Sequence, residues 1–175
     1  MALKVYFLGT GTSQGIPIIG SKHPVCLSEN PKDKRLRSSI WVQWDEMDIV
    51  VDCGPDFRQQ MLSSKCPKVN ALLFTHEHAD HTAGLDDIRP FAFKVGALAV
   101  FGLERVIKNL AKRFDYIFSD ENKYPGAPSV TTTIIDPAKP FTAASKTITP
   151  LVVSHYGLEV LGFRFGLFAY ITDMF

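Results

Sequence analysis

The sequence lacks both of the features that would send a chain to or through a membrane. Its opening residues, Met1–Leu8, form too short an apolar run for a secretory signal and have neither a basic start nor a small-residue cleavage site. No other apolar run reaches the roughly 18 residues that a transmembrane helix needs. We therefore expect a cytoplasmic protein with no membrane partner.

Cysteine is also scarce. The chain has three cysteines, Cys26, Cys53 and Cys66, an odd number spread over widely separated positions. Small secreted domains usually carry an even number of cysteines that pair in a disulfide framework. The pattern therefore excludes a disulfide-stapled scaffold and agrees with a reducing cytoplasm.

Charge of one sign is nearly absent as well. The chain has 19 Lys and Arg against 18 Asp and Glu, a formal net charge of +1 at pH 7. A protein that tracks nucleic acid usually presents a strong basic surface. The near-neutral charge argues against nucleic-acid processing, and we interpret the short basic run at 32–37 as a solvated loop.

What is present is the composition of one domain, spanning residues 1–175, with 46% hydrophobic and 21% charged residues. No repeat interrupts it. Residues 16–37 predict a long loop, because prolines and glycines recur there without periodicity. Apolar runs and turn signals predict strands that dominate the chain, with helices between them. The predicted strands are 3–8, 39–44, 48–52, 71–74, 97–101, 130–135, 147–153, 161–165 and 168–172, and the predicted helices are 55–64, 86–93 and 103–113. These elements indicate a mixed-sheet α/β protein.

The chemistry is concentrated in six residues that follow the apolar strand at 71–74. The segment reads His76-Glu77-His78-Ala79-Asp80-His81 and holds three of the five histidines of the chain. In an extended loop, residues two apart point to the same side, so His76 and His78 can bind one metal ion. A helical turn at Asp80 and His81 would direct those side chains towards a neighbouring ion. Imidazole and carboxylate suit zinc, manganese or iron.

This His-x-His-x-Asp-His segment, which follows an apolar strand and a threonine, resembles the signature of the metallo-β-lactamase superfamily. The opening Phe7–Gly11 and the Val51–Gly54 aspartate motif are similar to that family too. The leader at 9–26 and the segment Gly84–Pro90 look most like the branch of PhnP-type cyclic phosphodiesterases. The resemblance implies a four-layer αββα sandwich and hydrolysis by a hydroxide that bridges two metal ions.

The resemblance also implies roles for individual residues. His76, His78 and His155 would bind one divalent ion, Zn or Mn. Asp80 and His81, the catalytic ligands, would bind a second ion, and Asp173 would bridge the two. Asp52 would be a supporting residue that holds the ligand loop by hydrogen bonds, although a turn-capping role explains it nearly as well.

The sequence departs from the family pattern at two places. Related enzymes hold a structural zinc with cysteines in the first loop, where this chain has Ser21, His23 and Cys26; two ligands do not close a tetrahedral site, so we do not expect this extra zinc. The sequence also stops soon after Asp173, without a final metal-binding histidine. We therefore expect a domain with its C-terminal part missing, a weaker second metal site, and exposed strand edges that favour a homo-oligomer or domain swap.

Three functions follow from this sequence. The first is metal-dependent cleavage of a small, anionic phosphodiester, and Arg35 or Arg37 is a candidate to hold that anion, with a surface role as the more common alternative. The second is hydrolysis of a thioester or lactone, because the same hydroxide serves acyl chemistry. The third is an inactive, truncated remnant that binds metal or oligomerises.

Overall fold

The computed structural model describes residues 2–121 and 123–174 and contains ten strands and six short helices within those ranges. Met1 and Phe175, the ends of the predicted domain, lie outside the described residues. The strands are β1 (Leu3–Gly9), β2 (Ser39–Trp44), β3 (Met47–Val51), β4 (Ala71–Leu73), β5 (Leu98–Gly102), β6 (Val130–Ile134), β7 (Phe141–Ala143), β8 (Lys146–His155), β9 (Leu158–Phe165) and β10 (Phe168–Tyr170). The helices are α1 (Pro24–Leu27), α2 (Phe57–Ser64), α3 (Ala79–Thr82), α4 (Arg89–Val95), α5 (Glu104–Arg113) and α6 (Asp115–Phe118).

The strands form two sheets. The first has six strands in the order β1-β2-β3-β4-β5-β6, antiparallel from β1 to β3 and parallel from β3 to β6. The second has four antiparallel strands in the order β10-β9-β8-β7. This is the mixed α/β arrangement that the alternation of strands and helices predicts.

One apolar core lies between the two sheets. It joins side chains of the six-stranded sheet, such as Val42 and Ile49, to side chains of the four-stranded sheet, such as Ile148 and Phe163, and all four are 0% exposed. Burial of this apolar area is the main force that holds the sheets together. Strand β4 is wholly apolar because both of its faces are covered.

The helices pack against the six-stranded sheet, with α2 on β1 and with α4 and α5 on β5. Helix α5 shows why: Val106, Ile107 and Leu110 are buried at helical spacing, whereas its charged residues face outward. No helix within the described residues has the length and apolar character needed to cross a bilayer.

The structure confirms the main strands and helices and corrects the segment at 16–37. That segment contains α1 and a 3₁₀ turn at Pro31–Asp33, and single bridges pair Ile16 with Arg35 and Gly11 with Arg37. Periodicity misses such short pieces because each contributes one turn or one residue pair. Strand β7 and helix α6, three and four residues long, escaped prediction for the same reason.

Candidate metal centre

The His-Glu-His-Ala-Asp-His residues lie at the carboxyl end of β4, within a stretch we call the motif segment (residues 75–82). Residues 75–78 have no regular secondary structure, and the chain then turns into α3 at Ala79. This change of backbone direction brings the first two histidines and the later Asp80 and His81 into one cluster from different angles. The segment therefore supplies four candidate ligands from eight consecutive residues.

One set of candidate ligands consists of three imidazoles. His76 Nε2 lies 3.0 Å from His78 Nδ1, and His155, at the end of β8, brings a ring nitrogen within 4.8 Å of both. The ring centroid of His155 is 5.8 Å from that of His76 and 5.5 Å from that of His78. The set therefore joins the motif segment to the second sheet.

A second set combines His76, His81 and Asp173, whose ligand atoms also lie within 4.8 Å of one another. Asp173 Oδ2 is 2.7 Å from His81 Nε2 and 3.5 Å from His76 Nε2, so it stands between the two sets. Asp80 Oδ2 is 3.3 Å from His81 Nε2. The second set thus includes His76, which the sequence-based assignment gave to the first ion alone, and has Asp80 at its side.

Asp52 fixes the orientation of the motif segment from its buried side. It is 0% exposed; its carboxylate faces His81 Nδ1 at 2.7 Å and accepts hydrogen bonds from the backbone N–H and the hydroxyl of Thr75 at 2.9 Å. An Nδ1–H that donates to Asp52 would leave Nε2 of His81, which faces Asp173 and Asp80, as the ligand atom. Asp52 has φ 65, a left-handed conformation that a non-glycine residue adopts rarely and that recurs at functional sites.

Two glycines allow the Asp52 turn to pack directly on α3. A Cβ on Gly54 would lie 2.0 Å from the carbonyl oxygen of Asp80, and one on Gly84 would lie 2.0 Å from the carbonyl oxygen of Gly54. The backbone of Cys53 bridges the same gap, donating to the His81 carbonyl at 2.7 Å and accepting from the Gly84 N–H at 2.9 Å. Any larger residue at either glycine would separate Asp52 from His81.

The electrostatics of the cluster favour a cation. Burial and the nearby charge of His81 lower the pKa of His76 to about 4, so this imidazole is neutral and able to ligate. Burial opposes protonation of His81, but the charge of Asp52 and hydrogen bonds to Asp173, Asp52 and Asp80 raise its pKa to about 12. Without metal His81 is therefore a cation, and a metal ion would take the place of its Nε2 proton. Three carboxylates therefore converge on one imidazole beside three more, a donor set that suits a divalent ion.

Four of the six candidate ligands, His78, Asp80, His155 and Asp173, line a cleft of about 600 Å³. The size is in the range of small-molecule sites. Hydroxyl and backbone groups of the loop after β1 supply another part of the lining. Lys and Arg are missing from the residues that line this cleft, which are Thr10, Gly11, Thr12, Ser13, Ser38, His78, Asp80, His155, Tyr156, Asp173 and Met174.

Arg37 has a role that differs from the anion-binding one considered above. Its guanidinium pairs with Asp56 at 2.9 Å, and its Nε–H donates to the Ser13 carbonyl at 2.9 Å. Arg37 therefore supports the cleft loop from behind, and Arg35 pairs through its backbone with Ile16.

The loop that carries Ser21, His23 and Cys26 is organised by local hydrogen bonds. His23 Nδ1 accepts from the Val25 N–H at 3.3 Å at the start of α1, and Cys26 Sγ accepts from the Ile18 N–H at 3.5 Å. Among residues 2–121 and 123–174, three possible ligand atoms meet within 4.8 Å only in the two sets described above. The absence of an extra zinc stays a prediction.

Apart from Asp52, sequence reasoning missed the residues that support the cluster. Thr75 was seen as part of the motif but not as the partner of both Asp52 and His76. Glu77 pairs with Arg105 of α5 at 3.1 Å, and Arg113 donates to the Glu77 carbonyl at 3.2 Å. The position of Glu77, an acidic residue between the ligands His76 and His78, is the one sequence feature that could have indicated an ion pair with a basic residue such as Arg105.

Comparison with known proteins gives a family model described as a beta-lactamase superfamily domain, which matches residues 48–175. The matched range includes Asp52, the motif segment, His155 and Asp173. A solved structure of a diphosphatase from the PhnP family has a TM-score of 0.85 and is 35% identical, with 97% of this chain and 65% of that chain covered.

Two curated relatives have different names. An octanoyltransferase from Porphyromonas gingivalis is 40% identical over 173 residues, which are 98% of this chain and 35% of that protein. A ribonuclease Z from Clostridioides difficile is 25% identical over 151 residues, which are 80% of this chain and 47% of that protein. The chain thus spans less than half the length of these two curated relatives.

Proposed function

Because this chain belongs to the beta-lactamase superfamily and resembles its PhnP branch, we propose that it is a metal-dependent hydrolase that cleaves a phosphodiester-type bond in a small anionic substrate. The observation that carries the proposal is the convergence of six candidate ligands in one cluster, four of which line a cleft rich in hydroxyl and carboxylate groups. Similarity to the PhnP-family diphosphatase supports a phosphorus centre as the point of attack. We also propose that residues 1–175 form one domain.

The chain's own residues would divide the work. His76, His78 and His155 would hold one divalent ion, and Asp80, His81 and Asp173 a second; His76 belongs to both candidate sets, and Asp173 lies between them. Zinc or manganese fits this donor set. Two such ions, when bound, make water nucleophilic near neutral pH and neutralise charge on phosphoryl oxygens. Asp80 and His81 would be the catalytic ligands, and Asp52 would keep His81 in the tautomer that ligates.

The lining of the cleft supports an anionic, polar substrate. Two divalent ions held by this cluster would make the local formal charge positive and would attract an anion, although Lys and Arg are missing from the lining. Hydroxyl groups of Thr10, Thr12 and Ser13 would donate to its oxygens. A long acyl chain would meet few apolar side chains there.

An acyl substrate is the second candidate, and the octanoyltransferase relative is the observation that favours it. The aligned region is 35% of that protein. Acyl transfer to water uses the same nucleophile, so the ligand set serves either reaction.

Parallel assays test the proposal. Purified protein loaded with Mn²⁺ or Zn²⁺ should hydrolyse bis(p-nitrophenyl) phosphate, and His78→Ala should lose this activity while His23→Ala, outside the cluster, keeps it. Thioester turnover without phosphodiester turnover would favour the acyl reaction. Protein that holds at least one ion per chain and turns over neither substrate would instead be a metal-binding remnant.

Two further properties belong to the proposal. We propose a homo-oligomer joined through β1, an edge strand on which Phe7 is 62% exposed and Tyr6 is 38% exposed. A single monomer mass in size-exclusion chromatography with light scattering would reject it.

We propose a cytoplasmic location because Cys26, Cys53 and Cys66 are all free thiols.

A further inference from the structure

Tyr156 occupies the turn that joins β8 to β9, one residue after the candidate ligand His155. His155 pairs with Leu158 across the hairpin, so Tyr156 and Gly157 form a two-residue turn. Both have positive φ, 48° and 81°. This is the combination that a type I′ turn requires, and its first position favours Asn, Asp or Gly.

A tyrosine is a costly choice at this position. Positive φ in a bulky residue is a backbone outlier that persists where something else requires the residue. The hairpin between β7 and β8 also has two positive-φ residues, but they are the small Ala144 and Ser145. Tyr156 is 83% exposed, so burial of its ring in the fold does not offset the backbone cost.

Tyr156 lies at the edge of the cleft in which we place the substrate. Tyr156 lines the same cleft as His78, Asp80 and Asp173, and its ring centroid is 5.1 Å from that of His155. Most other residues of this lining are hydroxyl, carboxylate, imidazole or backbone groups, so within residues 2–121 and 123–174 Tyr156 supplies the phenol ring beside the candidate ligands. An exposed aromatic face next to a phosphoryl site is suited to stacking on a flat ring.

We propose that Tyr156 is a specificity-determining residue that stacks on a planar aromatic group of the substrate, so that the substrate class is a phosphate ester carrying a nucleobase or aryl ring. The inference rests on the proposed function only in placing the phosphoryl group at the metal ligands. The cleft of about 600 Å³ has room for a ring beside a phosphoryl group. Stacking explains why a residue unfavourable to the turn stands next to His155.

Ligand binding to the metal-loaded protein tests the proposal without relying on turnover. The probes are adenosine 5′-monophosphate and its ring-free counterpart ribose 5-phosphate, titrated by calorimetry into wild type, Tyr156→Phe and Tyr156→Asn. Loss of the stacking surface in Tyr156→Asn should weaken the adenosine ligand roughly 5- to 150-fold. Ribose 5-phosphate should bind all three proteins equally, and Tyr156→Phe should bind like wild type.

The asparagine variant also gives a second measurement, its Tm. If Tyr156 only stabilised the fold, its replacement would lower Tm, whereas the proposal expects Tm to rise. Asn suits the first position of a type I′ turn, so Tyr156→Asn should raise Tm, by about 2–4 °C if the gain is near the low end of the cost of a strained residue. A lower Tm, equal losses for both ligands, or a wild type that binds the two ligands equally would each overturn the inference. Failure of the proposed function is seen separately, as absence of phosphodiester turnover in wild type.

Discussion

The motif segment and the two far-strand ligands, His155 and Asp173, contribute to one cluster but are held in different ways. His76 and His81 in the motif segment are 0% and 2% exposed, and Asp52, Thr75 and the glycine contacts support them from below. His155 ends β8, and Asp173 follows β10 with φ 52 and a side chain that is 31% exposed. The far-strand ligands therefore depend more on the second sheet being in register.

This difference has a physical consequence. Buried polar groups that satisfy one another are rigid, because every displacement leaves an unpaired group in an apolar surrounding. Half-exposed residues at strand ends have water as an alternative partner and open more easily. The motif segment should keep its shape without metal, whereas the far-strand ligands should be ordered by the ions.

The largest effect should come from His76→Ala, because His76 belongs to both candidate ligand sets. Metal affinity should fall by more than the roughly 10- to 100-fold that follows loss of a supporting residue. Asp173→Ala should lose less, because His76, His78 and His155 remain together. Metal content after dialysis, measured by mass spectrometry, checks both variants, with His23→Ala as control. Equal loss in the two variants would remove the distinction between the regions.

Metal removal by a chelator should separate the regions in hydrogen exchange. An ion present at 100 times its Kd stabilises what it binds by about 2.7 kcal/mol, close to a 100-fold change in local opening. We expect amides of residues 171–174 to exchange faster by up to that factor. The amides of Cys53 and Gly84 should change less, since they donate to the backbone carbonyls of His81 and Cys53 and not to a ligand side chain. Equal acceleration in both places would contradict the comparison.

The same difference explains how much the sequence could predict. The motif segment was readable because four ligands lie within six residues after an apolar strand, and spacing alone brings them together. His155 and Asp173 could be assigned only by resemblance, because a lone histidine or aspartate carries no local signal. Whether His155 and Asp173 come close to the motif segment depends on the pairing of β8 with β9 and of β9 with β10, which local sequence patterns do not predict.

The fold shows a similar division. Strands with a clear apolar run, such as β3 and β4, were predicted nearly to their ends, whereas β7 and α6 were missed because they are too short for a period to register. The sequence also could not predict that His76 belongs to both ligand sets, because this depends on the positions of side chains in the folded protein. Thr75 belongs to the motif, but its hydrogen bonds to Asp52 and His76 are visible only in the structure, and Tyr156 has no recognisable sequence pattern.

The next largest effect tests the support beneath the motif segment. Asp52→Asn keeps the size of the side chain but removes the charge that faces His81 Nδ1 at 2.7 Å. An amide can present an N–H to that nitrogen, which favours the wrong tautomer, and we expect metal affinity to fall roughly 10- to 100-fold. Competition with a chromogenic chelator measures this affinity, and Asp136→Asn, a remote exposed position, is the control. An unchanged affinity would show that Asp52 only caps the turn.

The smallest effect should come from Arg113, which reaches the motif segment from its exposed side. Its guanidinium donates to the Glu77 carbonyl at 3.2 Å and to the Thr82 hydroxyl at 2.8 Å, bridging the extended part of the segment to α3. Because Arg113 is exposed, water can replace these bonds, and Arg113→Met should lower the free energy of unfolding by about 1 kcal/mol. Urea unfolding with and without metal measures the change, and Lys112→Met, the neighbouring position on α5, is the matched control. We expect metal affinity to change far less than in Asp52→Asn, because Asp52 already holds the segment from its buried side. A loss of affinity as large as that of Asp52→Asn would mean that the segment is held equally from both sides.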